Sequence, residues 1–154
     1  MAKFKKHKPR FDLKVANEGR EIYVEDIHGT YLGTFRVALV DPTLPRVRKA
    51  AERIQFAPVN GPIGAKAAAK DVERVARVFV EVALLDWRDI LDEDDKQIPF
   101  NKDVAFEYLT QFEIDEATGE RFYTHVWLLN HLSRESENIH NFQPMEQKEL
   151  PEKN

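Results

Sequence analysis

Apolar residues recur at helical spacing through the middle of the chain. Val72, Val75, Ala76, Phe79, Val80, Ala83, Leu84 and Trp87 follow i, i+3, i+4 steps, with Glu73, Arg74, Arg77 and Glu81 on the opposite face. That stripe predicts a long amphipathic helix through Trp87, ending near Leu91. An acidic turn at residues 92–95 and an Ile98-Pro99-Phe100 step then lead to a second helix. Asn101 is its expected N-cap, and Val104, Ala105, Tyr108, Leu109 and Phe112 are its buried stripe.

On the N-terminal side the period changes to two. Residues 11–15 and 21–25 alternate around Asn17-Glu18-Gly19, which predicts a hairpin. Residues 31–40 read as a third strand with Phe35, Val37 and Leu39 inward. Asp41-Pro42-Thr43 opens a helix whose stripe is Leu44, Val47, Ala51 and Ile54. Residues 56–65 carry Pro58, Gly61, Pro62 and Gly64 and form a loop between helices. After a polar connection at 113–119, Phe122, Val126 and Leu129 predict a last helix to about Arg134, with Tyr123 and Trp127 on a neighbouring face.

Strands followed by helices give an α+β class: a small N-terminal antiparallel sheet of about three strands, then a bundle of about four helices. At 154 residues one domain is expected. Residues 1–10 are read as a disordered basic leader, 11–135 as a single α+β domain and 136–154 as a polar C-terminal tail that frays. The net charge of −4 is mild but unevenly spread. Residues 3–10 hold five basic side chains and no acid, whereas 86–95 hold six acids and one base.

The absence of cysteine excludes a disulfide scaffold, a thiolate metal site and a cysteine nucleophile. The basic N-terminus is not followed by an apolar h-region, so no secretory signal is read. Charge interrupts the central stripe every three or four residues, so no membrane span is expected either. A soluble cytosolic protein is the expectation.

Candidate chemistry is sparse. Gly61-Pro62-Ile63-Gly64-Ala65-Lys66 has two glycines and a lysine, but not at the spacing that cradles phosphate. A calcium loop starting at Asp92 would need glycine where Gln97 stands and a long bidentate acid where Asp103 stands, so residues 92–95 read as a solvated turn. His125 and His131 lie about 240° apart on one helix and cannot chelate one ion together. His131 and Glu135 share a face, but two ligands do not make a tetrahedral site. No serine sits in a glycine-rich elbow and no triad stands out. No cofactor, no metal and no enzymatic activity are expected.

Two features point instead to binding. Lys3, Lys5, Lys6, Lys8 and Arg10, interleaved with Phe4 and Phe11, would suit a small nucleic-acid-binding regulator, although a solubilising leader is the plainer reading. Trp87, Phe100, Phe106, Phe112, Phe122, Tyr123 and Trp127 are more aromatic volume than a three-helix unit can enclose. One face, with Phe106 or Tyr123 beside Trp127, is therefore expected to stay exposed for a partner.

Residues 84–103 also resemble the tail assembly chaperones of long-tailed bacteriophages. The shared pattern is a helix ending in tryptophan (Trp87), an aliphatic residue (Ile90), an acidic turn, a hydrophobic-proline-hydrophobic step at Ile98-Pro99-Phe100 and a capped helix at Asn101. The C-terminal Lys153-Asn154 and the strands followed by a short helix are similar too. Family members often carry glycine shortly after the tryptophan and in the turn, where this chain has Arg88-Asp89 and Asp95-Lys96.

The resemblance implies a non-enzymatic protein of the host cell cytoplasm, not secreted and absent from the mature virion. Its client would be the tape-measure protein, kept soluble until the tail tube forms. The tail-tube protein and further copies of the chain are additional expected partners; nucleic acid is the less expected one. Together the motif and the surplus aromatics assign Trp87, Ile90, Ile98, Phe100, Phe106, Tyr123 and Trp127 to the gripping surface.

Overall fold

The computed structural model of the chain describes residues 2–54 and 68–144. Asp12 opens the first element: its Oδ1 accepts the Val15 N–H at 3.0 Å and caps helix α1, Leu13–Glu18. Gly19 ends α1 with a φ of +87°, and a Cβ there would lie 2.8 Å from both Leu85 Cδ1 and the Val37 carbonyl. Only glycine fits that corner. The strand expected at 11–15 is therefore a helix. Leu13, which alternation would place inward with Phe11 and Val15, is 59% exposed. Five residues of alternation weighed less than a capping aspartate at one end and a glycine stop at the other.

The hairpin consists of β1, Arg20–Glu25, and β2, Tyr31–Val37, in antiparallel register with Ile22 opposite Phe35. Asp26 builds the turn between them, its Oδ1 accepting the His28 and Thr30 N–H groups at 2.8 and 3.0 Å. Helix α2, Pro45–Ile54, follows, with Leu44, Val47 and Ala50 buried. The loop expected at 56–65, with its glycine-lysine segment, lies outside the described residues.

Helix α3, Ala68–Val82, buries Val72, Ala76, Phe79 and Val80 as its stripe predicts. It does not continue to Leu91. The Arg46 guanidinium from α2 donates to the carbonyls of Val82 and Leu39, satisfying the end of α3. One residue later the Ala83 carbonyl accepts the Ala38 N–H, and the chain becomes β3, Leu84–Arg88. This strand completes the sheet in the order β1-β2-β3, with Phe35 opposite Trp87 and a register shift between Arg36 and Val37. Trp87 therefore does not cap a helix. The acidic residues 92–95 form a turn after a strand, in which Asp92 Oδ1 accepts the Asp94 and Lys96 N–H groups.

Asn101 caps helix α4, Lys102–Leu109, by accepting the Val104 N–H at 2.8 Å. A second hairpin follows, β4 at Phe112–Ile114 and β5 at Arg121–Tyr123, closed by Gly119 at φ +72°. Phe112 and Phe122 are thus strand residues, and helix α5 begins only at Val126, running to Glu137. The fold is α+β, with five helices among the described residues.

The core lies between the inner face of the sheet (Val24, Phe35, Val37, Trp87) and α3, α4 and α5. The chain does not fray at Ser136. Ser136 is buried, its carbonyl accepts the Val40 N–H, and a 3-10 turn at Ile139–Phe142 buries Phe142. Apolar Ile139 and Phe142 inside a polar stretch account for that anchoring.

Phe79→Ala is expected to lower stability by ~3–5 kcal/mol, and Trp87→Phe by at least ~1 kcal/mol through loss of the indole hydrogen bond described below. Urea denaturation checks both. A loss near zero for Phe79→Ala would contradict the packing of α3 against the sheet.

Candidate functional site

The seven residues assigned to a gripping surface do not form one. Trp87 and Ile90 are buried; Ile98, Phe100 and Phe106 are half-buried against the core. The Trp87 indole Nε1–H donates to the Ile98 carbonyl at 2.8 Å, and its ring meets Phe100 and Tyr108 edge-on at 5.4 and 5.5 Å. The return segment does fold back over the tryptophan, but to close the core. Phe106 lies under the Arg77 guanidinium, 3.9 Å from its ring centre. Tyr123 is buried, with its hydroxyl donating to Glu73 at 3.1 Å. Trp127 alone of the seven is substantially exposed, at 43%.

Beside Trp127 the structure has an apolar groove of about 350 Å³. Leu32 of β2 and Trp127 and Leu128 of α5 line it, Ile27 projects from the β1–β2 turn, and Asp26, Thr124 and His125 complete the rim. Ile27 is 85% exposed. The Trp127 ring is stacked parallel on His131, one helical turn along α5, at 5.2 Å. That pairing presents one indole face to solvent in a fixed orientation. It also engages His131, while Glu135 accepts from Asn141, so the two do not converge on an ion.

Electrostatics at the rim are one-sided. The backbone N–H of Thr30, aided by that of His28, holds the Asp26 carboxyl below its ordinary range, so it is charged at neutral pH. His125 packs on Tyr108 with ring centres 4.7 Å apart, and burial lowers its pKa. It is therefore uncharged near neutrality. An apolar floor with a single negative edge suits an apolar polypeptide segment carrying positive charge.

Further exposed apolar side chains precede this site in the chain. Phe112, Ile114 and Phe122 of the β4–β5 hairpin are exposed, and β5 leads directly into Thr124 and His125. Sequence reasoning missed Ile27 and Leu32. The available signal was Ile27 itself, an aliphatic residue set between Asp26 and His28-Gly29 in a turn, where a polar residue is usual.

Among the described residues no group of three or more His, Asp or Glu side chains is placed to hold a metal ion, and no helix is long and apolar enough to cross a membrane. Also among these residues, every buried side-chain polar atom has a hydrogen-bond partner.

Residues 42–153, well over half of the chain, match the sequence profile described as YdaY prophage protein. The chain belongs to that family. It is thus a phage-related protein. No curated protein and no solved structure matches it. The YdaY match takes in α2 through the 3-10 turn, including Trp87 and Trp127, while β1, β2 and the Ile27 wall of the groove precede it.

Because His125 has a lowered pKa in the fold, the unfolded chain binds its proton at higher pH. Stability is then fully present above the ordinary histidine range and is lost as pH falls through it. The rise in the Glu137 carboxyl, caused by burial, acts with the opposite sign, so comparison with a variant isolates the histidine. Urea midpoints measured from neutral to mildly acidic pH are expected to fall more steeply in wild type than in His125→Gln. Parallel curves would contradict the burial of this ring.

Proposed function

We propose that this YdaY-family protein is a phage tail assembly chaperone that holds the tape-measure protein soluble before the tail tube forms. The observation that carries the reading is the groove between Ile27 and Trp127. It offers a pre-oriented indole, aliphatic walls and a carboxylate rim, which can take up and release an apolar helix face without chemistry. The identity of the client comes from the resemblance of residues 84–103.

Trp87 stands on a strand here and not at a helix end, but backbone geometry in the turns supports the rest of that resemblance. The two described non-glycine residues with positive φ are Asp89 at 64° and Asp95 at 61°. These fall at the two places where the resembled chaperones often carry glycine. Aspartate tolerates that conformation better than most residues. Arg88-Asp89 and Asp95-Lys96 are therefore departures in residue type that keep the bend glycine would supply. The Trp87 motif then serves to shape the scaffold, and the client contacts fall at Trp127, Ile27 and the neighbouring hairpin.

Co-expression with the tape-measure protein tests the proposal. Wild type is expected to keep most of the client in the soluble fraction, and Ile27→Asp or Trp127→Ala to return it to the pellet. Client that precipitates equally beside abundant, folded wild type would end the proposal. Full activity of both variants would remove the groove from it.

A further inference from the structure

We infer that the groove beside Trp127 also receives the basic leader of a second copy of this chain, with Phe4 as the apolar anchor, so that copies join head to tail. This assigns the site a second occupant, beyond the client.

Residues 2–10 are exposed throughout, and Phe4, at 88%, is the most exposed large apolar side chain described. It is flanked by Lys3, Lys5 and Lys6 in a segment without an acid. The groove offers the complement: an apolar floor at Leu32 and Leu128, an open indole face at Trp127, and negative charge from Asp26. A buried aromatic anchor with charges at the rim is a common way to build a weak, salt-sensitive contact.

Placement favours a neighbouring copy over the chain's own leader. The leader leaves the fold beside the C-terminal end of α5, where Asp12 N–H donates to the Phe142 carbonyl and Gln143 Nε2 donates to the Arg10 carbonyl. The groove lies at the N-terminal end of α5, with Leu128 and Trp127 in its first turn. Twelve residues of helix separate the two ends, about 18 Å at the helical rise. The six residues from Arg10 back to Phe4 reach at most ~20 Å when fully drawn out. A chain filling its own groove would have to hold its leader taut along the surface. The leader of another copy meets no such constraint. Because the two surfaces differ, the contact is heterologous and either closes a ring or extends a filament.

Sedimentation of the full-length protein up to about 100 µM, at low and high salt, tests the inference. Reversible, concentration-dependent association is expected, weakened about tenfold or more by Phe4→Ala, by Ile27→Asp and by salt. An equimolar mixture of Phe4→Ala and Ile27→Asp is expected to form a dimer and nothing larger, since together they retain one intact leader and one intact groove. Both side chains are highly exposed, so neither substitution disturbs the fold.

A monomer at every concentration overturns the inference. So does association indifferent to both substitutions, or a change in Trp127 fluorescence with Phe4→Ala at constant mass, which would mean the chain's own leader occupies the groove. Client solubilisation measured on the same variants separates this inference from the chaperone proposal. Ile27→Asp reports on the groove for both, and Phe4→Ala on the leader contact alone.

Discussion

The hydrogen bond from the Trp87 indole to the Ile98 carbonyl is the joint on which the two halves of the molecule depend. Trp87 stands on β3, next to Phe35 of the central strand, and touches Phe100 and Tyr108 on the far side of the acidic turn. One side chain thus fastens the N-terminal sheet to α4. The chain packs closely beside it at Gly33, where a Cβ would sit 2.5 Å from Ile90 Cδ1. The indole supplies both apolar area and one donor, which the half-buried Ile98 carbonyl accepts alongside the Gln97 side-chain amide at 3.1 Å. Residues 89–97 are then held as a narrow loop, with the Ile98 N–H donating to the Ile90 carbonyl and Asp89 N–H to the Gln97 side chain.

The same residues explain what could be read in advance. The α3 stripe was legible because Val72, Ala76, Phe79, Val80 and Ala83 occupy one helical face and all are buried. Its end was not, because Leu84 and Trp87, three apart, fit a helical stripe and a strand with a register shift equally well. What decided between them lies far away in sequence: the unpaired edge of β2 and the Arg46 guanidinium waiting for the Val82 carbonyl. β2 itself was legible from Phe35 and Val37. For α1 the start signal at Asp12 and the stop at Gly19 are both present, but the five residues from Phe11 to Val15 alternate as a strand would.

The candidate site was less legible than the fold. Surplus aromatic volume indicated that something must stay outside, and Trp127 does. Which other residues accompany it depended on tertiary contacts: Glu73 draws the Tyr123 hydroxyl inward, and Arg77 covers Phe106. The resulting surface combines a turn and the central strand it leads into with the first turn of α5, two stretches far apart in the chain. Membership of the YdaY prophage family, an apolar groove with a negative rim and an exposed basic leader fit one picture. On the reading proposed above, the protein would work by reversible contacts with other polypeptides, the tape-measure protein first among them.

On the proposed reading, Trp87 builds the scaffold and Trp127 faces the partner. The most direct measurement follows the two indole N–H resonances while a soluble apolar segment of the tape-measure protein is titrated in. The account predicts that the Trp127 signal, exchanging freely with solvent beforehand, shifts and broadens, while the protected Trp87 signal stays where it is. Movement of the Trp87 signal with Trp127 unchanged would contradict it.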